Sequence, residues 1–523
     1  MFREMTAARI LGALTQRSSQ LFTRKSSAAF SNAQRIWLLL IPPAAVLGWL
    51  VSGTPHISNS FILASPLKMV LAFGGLLLAM VIIWRPVVGL VVLIALVWLN
   101  LSQILERFHG IPSLLHLLAL PLLVAAVRTR LQEGFGGLHI PLLLWAAALF
   151  AMVPLISSTY ALDPQLSDQR AAEALKALII LLMIFFLVDS EIRLRAATWS
   201  LVIAGTFLAA LGFAQLVMGD LGNDLAGLAR VKYAHVYGDD FKPRLAGPVG
   251  DPGFFGQILV LLVPLAFHIG WYEKGRVIRA LGWLSLIGLI IAVGLTYSRG
   301  AMLALLVTLM LLLFTHRLFR PKYLAILFIA LPVVFAVASS DFGKRLSTAA
   351  LALPGGQDEL HPDSSIELRL LFSKTALAMF ANRPLTGVGA GNYASEYLAY
   401  ADEIGSDARH YGDADEGYYA HSLYLELAAE TGLIGLTAYV LVMSAALISI
   451  FHSARAFRSA GDVYLAGLSR CLSISLISYL ITSLFLHGHF QRYLWVIFGL
   501  IAAISVLPRT QPLHISGKSN ETP

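Results

Sequence analysis

Two arginines and one histidine in this sequence have surroundings suited to phosphate and proton-transfer chemistry. Arg244 opens the stretch Arg244-Leu245-Ala246-Gly247-Pro248-Val249-Gly250-Asp251-Pro252-Gly253-Phe254-Phe255-Gly256, irregular backbone just ahead of an apolar run. Arg299 lies in Ser298-Arg299-Gly300, directly before another apolar run. A helix start offers N–H groups and a positive dipole end to an anion. A guanidinium beside each start adds a planar fork that fits phosphate oxygens. Two such arginines at one depth would suit a phosphate or pyrophosphate. The plainer alternative is lipid head-group contact or an ion pair with a loop acid. His421 follows Tyr418 and Tyr419 and precedes a third apolar run. An imidazole that titrates near neutrality can take a proton from a hydroxyl; an ordinary interfacial histidine is the competing reading.

Other charged residues lie in or beside apolar runs. Glu426 and Glu430 follow His421 by one and two helical turns. Ionisable side chains at such places are costly and are read first as functional. Lys68 and Lys176 sit near the ends of their runs and are expected to snorkel to the interface. His487-Gly488-His489 has metal-like spacing but no carboxylate close by in sequence, so no metal site is expected. Gly387-Val388-Gly389-Ala390-Gly391 follows no strand pattern and reads as a tight turn, not a dinucleotide loop. Cys471, the single cysteine, lies in an apolar run and forms no intramolecular disulfide.

These residues must be held by membrane-embedded helices. The 523 residues are 57% hydrophobic and 13% charged, where a soluble domain carries about 25% charged residues. Lipid cannot satisfy backbone groups, so the spanning segments must be helices or a closed barrel. The runs are continuously apolar, which excludes the alternating strands of a barrel. The expected fold is therefore all-α, a polytopic transmembrane bundle of about 14 helices. The spans are expected at 36–53, 67–84, 86–104, 111–127, 139–157, 172–189, 197–217, 250–270, 280–296, 301–314, 322–339, 422–451, 465–486 and 493–508. Basic residues recur in alternate connections: Arg85; Arg128 and Arg130; Arg193 and Arg195; Lys274, Arg276 and Arg279; Arg317, Arg320 and Lys322; Arg455 and Arg458. By the positive-inside rule these face the cytoplasm, with both termini. The net charge of +8 is thereby explained by topology, and nucleic acid is not an expected partner.

Residues 1–35 form a basic cytoplasmic tail and 509–523 a second tail, with no cleaved signal peptide expected. Spans one to eleven occupy 36–339, and spans twelve to fourteen occupy 422–508. Between them, 340–421 forms a large structured loop on the outer face. Within it Ser364-Ser365-Ile366-Glu367 reads as a capping box, and Asn382-Arg383-Pro384 as a stop. The helix so bounded carries an apolar stripe of Ile366, Leu370, Ala376, Leu377 and Phe380, suited to the membrane surface or the top of the bundle.

Several of these segments resemble one family. His421-Ser422, nine residues, then Gly432-Leu433-Ile434-Gly435 resembles the signature of the O-antigen ligase and Wzy-type polymerase superfamily. Leu295-Thr296-Tyr297-Ser298-Arg299-Gly300-Ala301, Pro384-Leu385-Thr386-Gly387-Val388-Gly389-Ala390-Gly391-Asn392 and Asp251-Pro252-Gly253-Phe254-Phe255-Gly256 are similar to its supporting stretches. The resemblance covers roughly 240–440. It implies a multi-helix membrane glycosyltransferase in the bacterial inner membrane. Such an enzyme moves a glycan from undecaprenyl pyrophosphate to an acceptor hydroxyl on the periplasmic side. Lipid A-core, a growing polysaccharide or a protein hydroxyl would accept it, so ligase, polymerase and protein O-oligosaccharyltransferase all stay open. Carried over by motif, His421 would be the general base, giving inversion. Arg299 and Arg244 would bind and stabilise the pyrophosphate, Tyr418 and Tyr419 would bind sugar, and neither metal nor cofactor would take part. A transporter of polysaccharide or lipid is the rival of another class; it would show midplane charges and paired broken helices, which the sequence does not display.

Overall fold

The computed structural model describes residues 66–109, 113–133, 139–219, 221–237, 240–317, 364–404, 418–488 and 491–507. The expected spans at 36–53 and 322–339, both tails and much of the 340–421 loop lie outside these residues. The chain divides into two compact units, Met1–Met80 and Val81–Pro523. In the first, the described residues belong to helix α1, Pro66–Trp84. The second carries α2 (Pro86–Trp98), α3 (Leu101–His109), α4 (Leu114–Glu133), α5 (Leu142–Ser157), α6 (Pro164–Leu187) and α7 (Glu191–Met218). After a β-hairpin follow α8 (Pro252–Tyr272), α9 (Arg276–Leu295), α10 (Arg299–Thr315), α11 (Ser364–Asn382) and α12 (Tyr393–Glu403). The last three are α13 (Leu423–Ser459), α14 (Val463–Thr482) and α15 (Arg492–Val506).

The chain is mostly helical, and every expected span among the described residues has a helix in its place. By length and composition five helices can cross a membrane: α7, α8, α9, α13 and α14. A sixth is added if α2 and α3 are one span bent by 57°. The others are shorter or, like α6 with Asp168, Arg170, Glu173 and Lys176, carry charge in their first half. The sequence suggests one straight span over 86–104; the structure has an elbow there, with Asn100 in the left-handed region at φ 53°. The all-helical expectation also misses one hairpin. Strands β1 (Arg230–Tyr237) and β2 (Asp240–Gly247) pair antiparallel, with Lys232 opposite Arg244. The signal was present as Gly238-Asp239 between two runs with β-branched and aromatic residues.

At the centre, α8 is buried along almost its whole length. A helix apolar on all sides belongs inside a bundle. It packs on α7, α9, α10 and α14. Hydroxyl and amide groups stitch it to α14: Gln257 Nε2 donates to Thr482 Oγ1 at 2.7 Å, and Ser475 Oγ to the Leu261 carbonyl at 2.7 Å. Between apolar helices in lipid such bonds replace the missing hydrophobic drive.

The helix expected from the capping box is present as α11. Its buried face differs from the expected stripe. Phe372, Thr375, Ala376 and Met379 are buried, while Leu370 and Leu377 are exposed. The buried set joins Val388, Tyr393, Tyr397, Ala420 and Ala429 in one core over the start of α13, so α11 caps the bundle.

Candidate functional site

The site is organised around a break in α13. Gly432 has φ 59° and ψ −155°, a backbone open to glycine alone among common residues, and the helix stops and restarts there. A break leaves carbonyls before it and N–H groups after it without helical partners. The glycine-rich segment supplies those partners. Val388 and Gly389 donate to the carbonyls of Ala429 and Glu430, both at 2.9 Å; Leu433 and Ile434 donate to those of Pro384 and Leu385, at 2.8 and 3.2 Å. The approach is so close that a side chain on Gly387 would strike the Glu430 backbone, and one on Gly432 the Leu385 backbone. Two stretches read separately in the sequence are thus one hydrogen-bonded unit. Asn392 extends it to the α5–α6 turn, donating to the Asp163 carbonyl at 3.1 Å and to Ser167 Oγ at 3.3 Å.

The starts of α8 and α10 lie side by side. A Cβ at Gly256 would fall 2.6 Å from the Ala301 side chain, and one at Gly300 would fall 2.9 Å from Phe485. Both starts are capped from within the chain: Asp251 Oδ1 accepts from Phe254 N at 2.9 Å and Ser298 Oγ from Ala301 N at 3.4 Å. The expectation of helix starts open to an anion is therefore corrected in part, and at α8 the cap is itself a carboxylate. Arg244, on β2, reaches across to the turn before α10. Its Nε donates to the Thr296 carbonyl at 3.0 Å and its NH2 to that of Tyr297 at 3.3 Å. Arg244 and Arg299 thus meet at one turn, whose Tyr297 has φ 50°.

His421 also holds a left-handed backbone, φ 48°. Such a conformation costs about 1–2 kcal/mol for a residue with a Cβ and clusters at functional sites. The next residue, Ser422, is the N-cap of α13, and Leu423 N donates to the Ser483 carbonyl at 3.0 Å. Tight aromatic packing surrounds His421. Its ring lies 5.5 Å from Phe372 and 5.7 Å from His487, edge to face with the latter. Tyr419 stacks on His487 at 3.9 Å, and Phe254, at the start of α8, meets His487 at 5.0 Å. Tyr418 stacks instead on Tyr397 at 4.4 Å. Each of these tyrosines therefore has one ring face engaged inside the protein. Burial pushes the His487 pKa down to about 3, helped by the proximity of His421 and Arg170. His487 is thus a neutral imidazole beside His421. Its neighbour His489 lies outside the described residues.

The turn after α14 connects these parts. A Cβ at Gly253 would approach Leu486 at 2.7 Å and Ser298 Oγ at 3.9 Å. Phe485 and Leu486 therefore border the Arg299 turn, while His487 borders His421. Behind it lie Glu426 and Glu430, both buried. Glu426 accepts from the Gly488 N–H, and Glu430 from the Tyr393 N–H at 3.3 Å. These carboxylates anchor the two turns that shape the site. Arg170 of α6 faces them; burial alone would lower its pKa, but Glu430, Glu173 and Glu426 outweigh that and raise it.

A cavity of about 410 Å³ adjoins this cluster, lined by Phe254 and Gly488 together with Asn100, Gln103, Glu106, Arg170, Lys176 and Arg492. Sequence reasoning passes over Arg170 and Arg492, and takes Lys176 for a snorkelling residue; the structure turns all three to one polar cavity. The signal for Arg170 and Lys176 was charge persisting through the first half of an apolar helix. Arg492 stood at a span boundary, where an arginine is ordinary. Lys68 lies in the first unit, where its side chain is outside the described residues.

No curated protein matches this chain. Residues 283–440, which include Arg299, the glycine-rich segment, His421 and the Gly432 break, match the family model described as O-antigen ligase, and this match supports placing the protein, a membrane protein by its helices, in the O-antigen ligase superfamily.

Proposed function

We propose that this protein is a membrane glycosyltransferase. It transfers a glycan from undecaprenyl pyrophosphate to an acceptor hydroxyl on the periplasmic side of the bacterial inner membrane. One observation carries the reading: the turn over residues 483–488 is bordered by the Arg244–Arg299 turn and by His421. A leaving-group site and a base thereby share one wall.

In this mechanism His421 takes the proton of the acceptor hydroxyl. The oxygen attacks the anomeric carbon as the bond from that carbon to the pyrophosphate oxygen breaks, with inversion. Negative charge grows on the pyrophosphate, and fixed positive charge near it lowers the barrier. Arg299 faces that charge directly. Arg244, whose guanidinium already donates to two carbonyls, holds the turn that presents Arg299 and adds its field. Tyr418 and Tyr419 offer their remaining surfaces to sugar. Membrane lipid surrounds the exposed apolar flanks, such as Trp145, Leu284 and Val217.

Lipid A-core ligation, polysaccharide polymerisation and protein O-glycosylation share this chemistry and differ only in acceptor. The transporter reading gains a broken helix at Gly432, a feature not visible in sequence. Yet the break is filled by residues 384–389 of the same chain, which leaves no open coordination for cargo there. Purified protein incubated with polyprenyl-pyrophosphate glycan and acceptor tests the proposal, with and without a strong chelator. Released polyprenyl pyrophosphate and a new glycosidic bond, both persisting under chelation, are expected. Intact substrate moved across a vesicle would replace the enzyme with a transporter.

A further inference from the structure

We propose that the polar cavity between α3, α6 and the start of α15 holds a negatively charged sugar of the substrate glycan, a uronic acid or a phosphorylated residue. The proposal rests on the glycosyltransferase reading for the word substrate. The cavity itself rests on its own residues.

The volume of about 410 Å³ lies in the range of small-ligand sites, roughly 300–1,000 Å³. Its walls are unlike a lipid groove. Gln103 and Gln491 bring amide groups suited to hydroxyls, and Tyr493 brings an aromatic ring. The charge within it is not balanced internally. Arg170 is answered by Glu173 at 2.9 Å and faces the buried carboxylates behind it. Arg492 donates to the neutral side-chain oxygens of Asn100 and Gln103, each at 3.2 Å, and not to a carboxylate. Lys176 has no hydrogen bond or ion pair among the described residues. Against the three cations Arg170, Lys176 and Arg492 the cavity sets two carboxylates, Glu106 and Glu173, the latter already bound to Arg170. A fork held open by neutral amides together with an ammonium group is a receptor for carboxylate or phosphate.

Its position says which anion. Phe254 lines the cavity and touches His487, whose ring meets that of His421. The cavity is therefore a neighbour of the reacting centre. It is built on different elements from the Arg244–Arg299 turn. A glycan whose reacting end lies at His421 would extend a further sugar into it.

The test is direct binding. Full-length protein in phosphatidylcholine nanodiscs is titrated with trigalacturonate and, as the neutral control, with maltotriose. The charged trisaccharide should bind roughly tenfold or more tightly than the neutral one, the size of one charge-assisted hydrogen bond. Lys176→Gln should remove most of that preference, and Arg299→Gln should keep it. Arg492→Gln should act likewise, but Arg492 ties α15 to the Asn100 elbow and its loss can unfold the protein; Lys176 carries no such tie. Equal binding of the two trisaccharides, or a preference unchanged by Lys176→Gln, would overturn the proposal. So would displacement of trigalacturonate by farnesyl pyrophosphate or by phosphatidylglycerol, which would give the cations to the leaving group or to lipid. If polyprenyl pyrophosphate is never released but trigalacturonate binds through Lys176, the transferase reading fails and the sugar site stands. In an active preparation, Lys176→Gln raises KM for donor or for acceptor, and the one affected names the glycan concerned.

Discussion

Arg244 Nε donates to the carbonyl of Thr296 at 3.0 Å, fastening the β-hairpin to the turn that presents Arg299. The guanidinium spans two successive carbonyls, since its NH2 reaches Tyr297. A lysine has the charge but not the fork. Arg244→Lys is therefore expected to lower kcat/KM for transfer by roughly 2.7–4 kcal/mol, comparable to losing one transition-state donor. Steady-state kinetics with the lipid-pyrophosphate donor measures this. Full activity in the lysine variant would make the two carbonyl bonds irrelevant to the site.

His421→Ala is expected to insert and fold normally while turnover falls by about two to four orders of magnitude, the range for a lost general base. The alanine must still adopt φ 48°, so His421→Asn, which tolerates that region better, serves as a second variant with the same kinetic loss. Turnover near that of the unaltered protein in both would move the base elsewhere.

Gly432→Ala should strike at architecture. The residue must hold φ 59°, and its new Cβ would collide with the Leu385 backbone. A loss of roughly 2–5 kcal/mol is expected from strain and displaced hydrogen bonds together. Thermal unfolding in detergent should show the drop. An unchanged midpoint would mean that the 384–389 segment does not depend on the break.

The half-buried imidazole of His487, whose Nδ1 is shut off from solvent, predicts an acid sensitivity. Its pKa is lowered from 6.5 to about 3 in the folded protein. Between these values the unfolded chain binds the proton and the folded chain does not, so stability rises with pH and is lost as pH falls from about 6.5 toward 3. His487→Gln should flatten that part of the stability–pH curve. If the slope is identical in both proteins, His487 is not the group responsible.

Topology can be read with fused reporters. One placed after Arg320 is expected to report cytoplasm, and one near Asp402 the periplasm, as the basic connections require. A cytoplasmic signal at Asp402 would put His421 on the wrong side for a periplasmic substrate.

The membrane setting and the helical segments were legible because they depend on local composition. Apolar runs, Pro252 and Asp251 at the start of α8, and Ser298 before α10 are signals carried by neighbours in sequence. The resemblance around His421, Arg299 and the glycine-rich stretch was likewise visible as motifs. What the motifs do to one another was not. That residues 384–389 repair the Gly432 break follows from hydrogen bonds across some forty-five positions, and no local pattern encodes such a partner. The hairpin that delivers Arg244 was missed because glycine and proline nearby masked two short strands. Lys176 was read as an interface residue, and Arg492 was passed over, because charge at a helix end is ordinary in isolation. Only the packing of α3, α6 and α15 brings them to a shared cavity, where cations outnumber carboxylates and the same charges take on a different meaning.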